Sequence, residues 1–213
     1  MTTRITYARH SKRMDDYENP PELQAQVDRE WDCPLDQEGI ALATAFASKI
    51  EKPEIVITSP MLRCFQSAGA ALSVWGGIIQ VDARWCEVWH PKVLKVPVTD
   101  AYLRTDAEYS VHYPLFAHLN TGLPAHEETL GQGGTADARF IRMIRQSALE
   151  FKASKIRTAL IVSHGDMLQS VASVLGGMSI YEVNYMASIT VDYDWAANTF
   201  TLVGTDGIGY IAE

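Results

Sequence analysis

Thr158-Ala159-Leu160-Ile161-Val162-Ser163 is a short, largely apolar run that stops at His164-Gly165-Asp166. A run of that length with no polar alternation reads as a strand buried on both faces, and the three residues after it as a turn. Met167 to Leu175 then takes a helical spacing and is closed by Gly176-Gly177. The same unit recurs upstream. Thr3 to Ala8 is β-rich and empties into the charged loop Arg9-His10-Ser11-Lys12-Arg13, and Glu54 to Thr58 ends at Ser59-Pro60 before Met61 to Val74 resumes helical character. Strands alternating with helices predict an α/β domain of three layers, a mostly parallel sheet flanked by helices on both faces.

Working outward, Asp36 is placed to cap a helix whose apolar stripe is expected at Ile40, Ala43, Phe46, Ala47 and Ile50, with Gly39 suited to close backbone packing. Ala136 to Lys152 carries Phe140, Ile144 and Ala148 on one helical stripe, and Ala187 to Tyr193 with Phe200 to Val203 predict a hairpin at the sheet edge. Residues Asp15 to Pro34 show no clean period and read as an irregular excursion. The segment 88–135, rich in His, Pro, Tyr and Gly, is expected to be a cap inserted within one domain spanning 1–213.

Composition narrows the function. The 213 residues are 47% hydrophobic and 21% charged, values of an ordinary globular chain. Eighteen Lys and Arg against 26 Asp and Glu leave a net charge of −8, which argues against a nucleic-acid binder or a polybasic membrane docker, so any anion site must be local. Cys33, Cys64 and Cys86 form no CxxC pair and fit a reduced, cytoplasmic protein. No run is long and apolar enough for a bilayer span, and Met1 to Arg13 lacks the apolar core of a signal peptide.

In an open α/β sheet the site lies beyond the carboxyl ends of the strands, so the residues that follow each buried run belong together. They are Arg9, His10 and Arg13, then Ser59 and Arg63, then His164. Guanidinium forks match phosphate oxygens, and an imidazole held neutral by neighbouring cations can carry a phosphoryl group. Metal hydrolysis is disfavoured, because acidic ligands are missing from these strand ends. In Arg84-Trp85-Cys86-Glu87-Val88-Trp89 an extended chain would put Trp85, Glu87 and Trp89 on one face, where desolvation raises the carboxyl pKa and suits it to general-acid work. Cys64 sits in no C-x5-R phosphate loop and reads as a small buried residue, the histidines His90, His112, His118 and His126 read as cap surface or core, and no GxxxxGK[ST] loop is present.

Arg9-His10 after one strand, Ser59-Pro60-x-x-Arg63-x-x-Gln66-Ser67-Ala68 after the next, Glu87 some two dozen residues on and Ser163-His164-Gly165 near the end resemble the histidine phosphatase, or phosphoglycerate mutase-like, superfamily. Arg13-Met14-Asp15, Met61-Leu62-Arg63-Cys64 and Glu87-Val88-Trp89 are most similar to the phosphatase domain of the suppressor of T-cell receptor signalling proteins and to ecdysteroid-phosphate phosphatase. The resemblance implies a phosphoglycerate mutase-like fold and a metal-independent, cofactor-free phosphomonoesterase of the histidine acid phosphatase type, acting on a small-molecule or protein phosphomonoester. It puts the nucleophile on His10, the phosphate pocket on Arg9, Arg13, Arg63 and His164, and the proton donor on Glu87. Ser11 stands where the family usually has Gly. It is expected to narrow the pocket or add a hydroxyl donor, and Ser11, Trp85 and Trp89 are the expected leaving-group contacts, with aryl or apolar leaving groups favoured. Two alternatives are a mutase-type phosphotransferase, for which the insert supplies only Lys92, Lys95 and Arg104, and a weakly catalytic scaffold that binds phosphorylated partners. The resemblance and an apolar C-terminal edge are compatible with a homodimer.

Overall fold

The computed structural model describes residues 1–120 and 122–212. Seven strands alternate with seven α-helices: β1 (Thr2–Arg9), α1 (Pro21–Gln24), α2 (Gln37–Phe46), β2 (Ile55–Thr58), α3 (Leu62–Trp75), β3 (Ile79–Asp82), α4 (Pro91–Leu94), α5 (Asp106–His112), β4 (Phe116–Asn120), α6 (Thr135–Ser154), β5 (Thr158–Ser163), α7 (Gly165–Leu175), β6 (Met178–Asp194) and β7 (Thr199–Ala212). The strands make one sheet in the order β4-β3-β2-β5-β1-β6-β7, parallel from β4 to β1 and antiparallel at β6 and β7. The α/β reading with a mostly parallel sheet therefore holds.

Side chains alternate across β5 into two cores. Ala159 and Ile161 join Ile5, Tyr7 and the α6–α7 stripe of Phe140, Ile144, Ala148, Met167 and Leu168. Leu160 and Val162 join Ala8, Val56, Ala43, Phe46, Phe65 and Leu72 beneath α2 and α3. Each fully buried large apolar side chain contributes about 1.5–3 kcal/mol, so both helix layers are firmly seated.

The register places the site. Ala8 and Thr58 both pair with Val162, which brings the ends of β1, β5 and β2 level and side by side. Whatever follows these three strands must meet above them.

Local details differ from the sequence reading or add to it. Ala43, Phe46 and Ala47 of the expected stripe are buried, but it starts at Gly39, while Ile40 is exposed and Ile50 lies half-buried beyond the helix. Gly39 takes the place expected for Ile40 because it lies against the Lys12 carbonyl, 2.1 Å from where a Cβ would stand. The edge hairpin is much longer than Ala187 to Tyr193 and Phe200 to Val203. The longer pairing absorbs register shifts, one of them opposite Gly207 at φ +64°. Ile79–Asp82 is a strand that its short, mixed sequence concealed. The segment 88–135 contains α4, α5 and β4, and β4 pairs in parallel with β3 at the other edge of the sheet. Among the described residues no helix is long and apolar enough to cross a membrane.

Candidate active site

His10 leaves the end of β1 and is 4% exposed. Its backbone N–H donates to the Ser163 carbonyl (2.9 Å), continuing the β1–β5 ladder by one residue. Its Nδ1 lies 2.8 Å from the Ser11 carbonyl, an acceptor only, so Nδ1 carries the hydrogen and Nε2 keeps its lone pair. Burial, then the charges of Arg63, His164 and Arg9, hold the imidazole well below its usual pKa. The ring is neutral and oriented, which is what a nitrogen nucleophile requires.

Arg63 enters on the first turn of α3, where Asp32 accepts from the Leu62 N–H (2.5 Å) and caps the helix in place of a side chain from Met61. The guanidinium is buried. It donates through Nη1 to the Trp31 carbonyl (2.9 Å) and through Nη2 to Glu87 Oε2 (3.1 Å). The same carboxylate oxygen is 2.9 Å from His164 Nδ1. His164 is the N-cap residue of α7, and its Nε2 accepts from the Ser59 hydroxyl (2.9 Å), whose oxygen accepts in turn from the Met61 N–H (3.3 Å). Burial, which outweighs the attraction of Glu87, lowers the His164 pKa to about 4. The His10 and His164 ring centroids are 5.6 Å apart. His10, Arg63, Glu87, His164 and Ser59 are thus one cluster built from three adjacent strand ends and the turn after β3.

Arg9 packs over the Tyr185 ring (4.7 Å to the centroid) and donates from Nη1 to the Val183 carbonyl (2.5 Å). Tyr185 also lies 6.5 Å from the His10 ring, and its hydroxyl donates to Asp16. It reaches this position because β6 leaves its register with β7 between Val183 and Ser188, with Met186 at φ +54°. Reasoning from the sequence missed Tyr185, since a bulge of that kind shows no hydrophobic period.

Other expected contacts fall elsewhere. Arg13 forks onto Asp15 (2.8 and 3.0 Å) and does not join the cluster. Ser11 is wholly buried, with its N–H on Ser67 Oγ (2.9 Å) and its hydroxyl without a hydrogen-bond partner. Trp85 and Trp89 do not flank Glu87 as an aromatic wall. Ala83–Trp85 is a 3₁₀ turn, so the chain is not extended, and the two rings enter opposite cores, Trp85 beside Tyr7 and Phe140 and Trp89 beneath α3. Glu87 is corrected with them. Although burial works to raise its pKa, His164 and Arg63 prevail and hold the carboxyl well below the usual range. Among the described residues no group of three or more His, Cys, Asp and Glu side chains is arranged to hold a metal ion.

A buried histidine beside two guanidinium groups, a second histidine and a carboxylate, at the carboxyl ends of parallel strands, is an arrangement that can hold an anionic group and offer it a nitrogen lone pair. The chain belongs to the histidine phosphatase superfamily (branch 1), whose family model matches residues 8–203. Among solved structures it is similar to a phosphoglycerate mutase from Bacillus anthracis str. Sterne (14% identity, TM-score 0.63, 97% of this chain and 93% of that one). It is similar also to the ecdysone phosphate phosphatase of Bombix mori (16%, 0.63, 95% and 92%) and to a phosphoserine phosphatase of Entamoeba histolytica (16%, 0.57, 95% and 96%). At these identities the likeness is one of fold. No curated protein matches the sequence.

Proposed function

We propose that the protein is a phosphomonoester hydrolase of the histidine acid phosphatase type that works through a phosphohistidine on His10. The observation that carries this reading is the His10 ring itself: neutral, with Nδ1–H tied to the Ser11 carbonyl and Nε2 free, beside Arg9 and Arg63. Nε2 attacks phosphorus, the bond from phosphorus to the ester oxygen breaks, and Glu87 delivers a proton to that oxygen. Water then attacks the phosphohistidine, Glu87 takes back a proton, and the P–N bond breaks to restore neutral His10. The cation formed at the ring in the first step is stabilised by its bond to the Ser11 carbonyl.

Glu87 is a carboxylate in the free enzyme, so its proton must come with the substrate. A phosphomonoester monoanion brings one, and its negative charge competes for Arg63 and His164, loosening the hold that keeps Glu87 ionised. Arg9, Arg63 and His164 stabilise the equatorial oxygens. Arg13 would join them on leaving Asp15, and the unpartnered Ser11 hydroxyl is a further donor in reserve.

Hydrolysis is favoured over mutase chemistry because two of the insert's three cations are already engaged. Arg104 is bound to Asp32 (2.6 Å) and Asp28 (3.0 Å), and Lys95 lies 3.6 Å from Asp15. With both tryptophans in the core, aryl preference loses its support, and the proposal covers small-molecule and protein phosphomonoesters alike. Release of inorganic phosphate from p-nitrophenyl phosphate tests it: the wild type should turn over and His10→Ala should lose at least about a thousandfold in kcat/KM. Equal release by both proteins would overturn the proposal.

A further inference from the structure

The turn that carries Glu87 lies beyond β3 and has no sheet ladder to hold it. Apart from the Ser163 hydroxyl, which donates to the Trp85 carbonyl (2.8 Å), one buried ion pair does so instead. Arg139, on the second turn of α6, places its N–H donors on five acceptors. Nε and Nη2 bind the two carboxylate oxygens of Glu128 (2.7 and 2.8 Å), Nη1 binds the carbonyls of Arg84 (2.8 Å) and Cys86 (3.1 Å), and Nη2 also reaches the carbonyl of Glu87 (3.2 Å). Glu128 grips the far end of the turn: Oε2 accepts from the Trp89 N–H (2.9 Å), and its own N–H donates to the Trp89 carbonyl (2.8 Å). Both side chains are about 8% exposed.

We propose that Glu128 and Arg139 form a positioning clamp for the proton-transfer residue, in which the segment before α6 delivers a carboxylate, Arg139 binds it, and together they set the backbone from Arg84 to Trp89 and thereby the Glu87 carboxyl. This inference rests on the hydrolase reading. A buried ion pair is a poor way to gain stability, since apolar residues of similar volume often do as well or better. Apolar residues could not bind three carbonyls and an amide of one turn. The pair also balances charge. Arg139 stands behind the Glu87 backbone, and without Glu128 its charge would add to that of Arg63 in holding Glu87 ionised, when the reaction needs it protonated.

The clamp is read by leaving-group dependence. A p-nitrophenolate leaves without protonation and an alkoxide does not, so a misplaced acid penalises alkyl phosphates selectively, whereas general loss of structure penalises both. In Glu128→Gln, kcat/KM for n-butyl phosphate should fall about 10- to 100-fold and that for p-nitrophenyl phosphate by less than about threefold. The decline of kcat for n-butyl phosphate with rising pH, which reports Glu87 in the bound complex, should also move to lower pH. Should Glu128→Gln fail to fold, the double variant Glu128→Leu/Arg139→Met, which leaves no unpaired charge, should fold and show the same split between substrates. Equal losses on both substrates, or full activity on n-butyl phosphate in a folded variant, would overturn the clamp. Wild-type protein inert towards p-nitrophenyl phosphate would instead overturn the hydrolase reading beneath it.

Discussion

Burial and the charges of Arg63, His164 and Arg9 keep the His10 imidazole neutral, while the Ser11 carbonyl chooses which nitrogen stays free. Glu87 faces the reverse problem, because His164, which hydrogen-bonds it, and Arg63 keep it ionised against its burial. Its contribution should therefore appear where a proton is most needed. Glu87→Gln should lower kcat/KM for alkyl phosphates by roughly a hundred to ten-thousandfold and for p-nitrophenyl phosphate much less. Equal losses on the two substrates, measured at one pH, would mean that Glu87 acts otherwise than by protonation. At this scale the sequence was legible for residues that follow strands directly. His10, Arg63 and His164 could be gathered by topology alone, and Glu87 by the family resemblance, since the aromatic flanks that singled it out do not exist. It was not legible where a side chain's direction depends on local backbone. The 3₁₀ turn at Ala83–Trp85 sends two tryptophans into opposite cores, and the β6 bulge aims Tyr185 at Arg9.

Elements position these residues through a few close backbone contacts. The Lys12 carbonyl, two residues past His10, accepts from the Asp36 N–H (3.2 Å) and lies against Gly39 on α2. A methyl group at Gly39 would sit 2.1 Å from that oxygen, and a backbone atom cannot swing aside as a flexible side chain would. Gly39→Ala should cost about 1–3 kcal/mol, seen as a lower urea midpoint, and should reduce kcat as the loop bearing His10 shifts. An unchanged midpoint would show that α2 can slide freely on that loop. Helices with strong apolar periods, such as α6 with Phe140, Ile144 and Ala148, were readable from spacing. Strands β3 and β4 were not, because edge and near-edge strands of four or five residues carry too few alternations to stand out from their loops.

Across the whole molecule, the cost of assembling buried titratable groups should appear as a pH dependence of stability. His10 and His164 have depressed pKa values, His164 at about 4, so below the unfolded value of roughly 6.5 the unfolded chain binds up to two more protons than the native one. Asp166, pushed up to about 6 by burial and by Glu87, opposes them, since the native state holds its proton where the unfolded state has lost it. Stability should thus fall on acidification from pH 6.5 towards 4.5 by about 1.4 kcal/mol per pH unit, the slope of about one net proton, and Glu87 should steepen the fall below its unfolded value near 4.3. Urea unfolding at pH 7, 6 and 5 measures this, with His164→Gln expected to flatten the slope by about one proton, or ~1.4 kcal/mol per unit. Stability that is level or rising on acidification would mean that the two histidines are not held neutral. The proposed chemistry and this pH dependence both turn on a neutral His10 with a free Nε2, and trapping the covalent intermediate tests that most directly. After incubation with a labelled phosphomonoester and a rapid quench that avoids acid, the wild type should carry phosphate on His10, as an acid-labile, alkali-stable adduct missing from His10→Ala. Label on Cys64, or turnover with no phosphoenzyme at any quench time, would contradict the account.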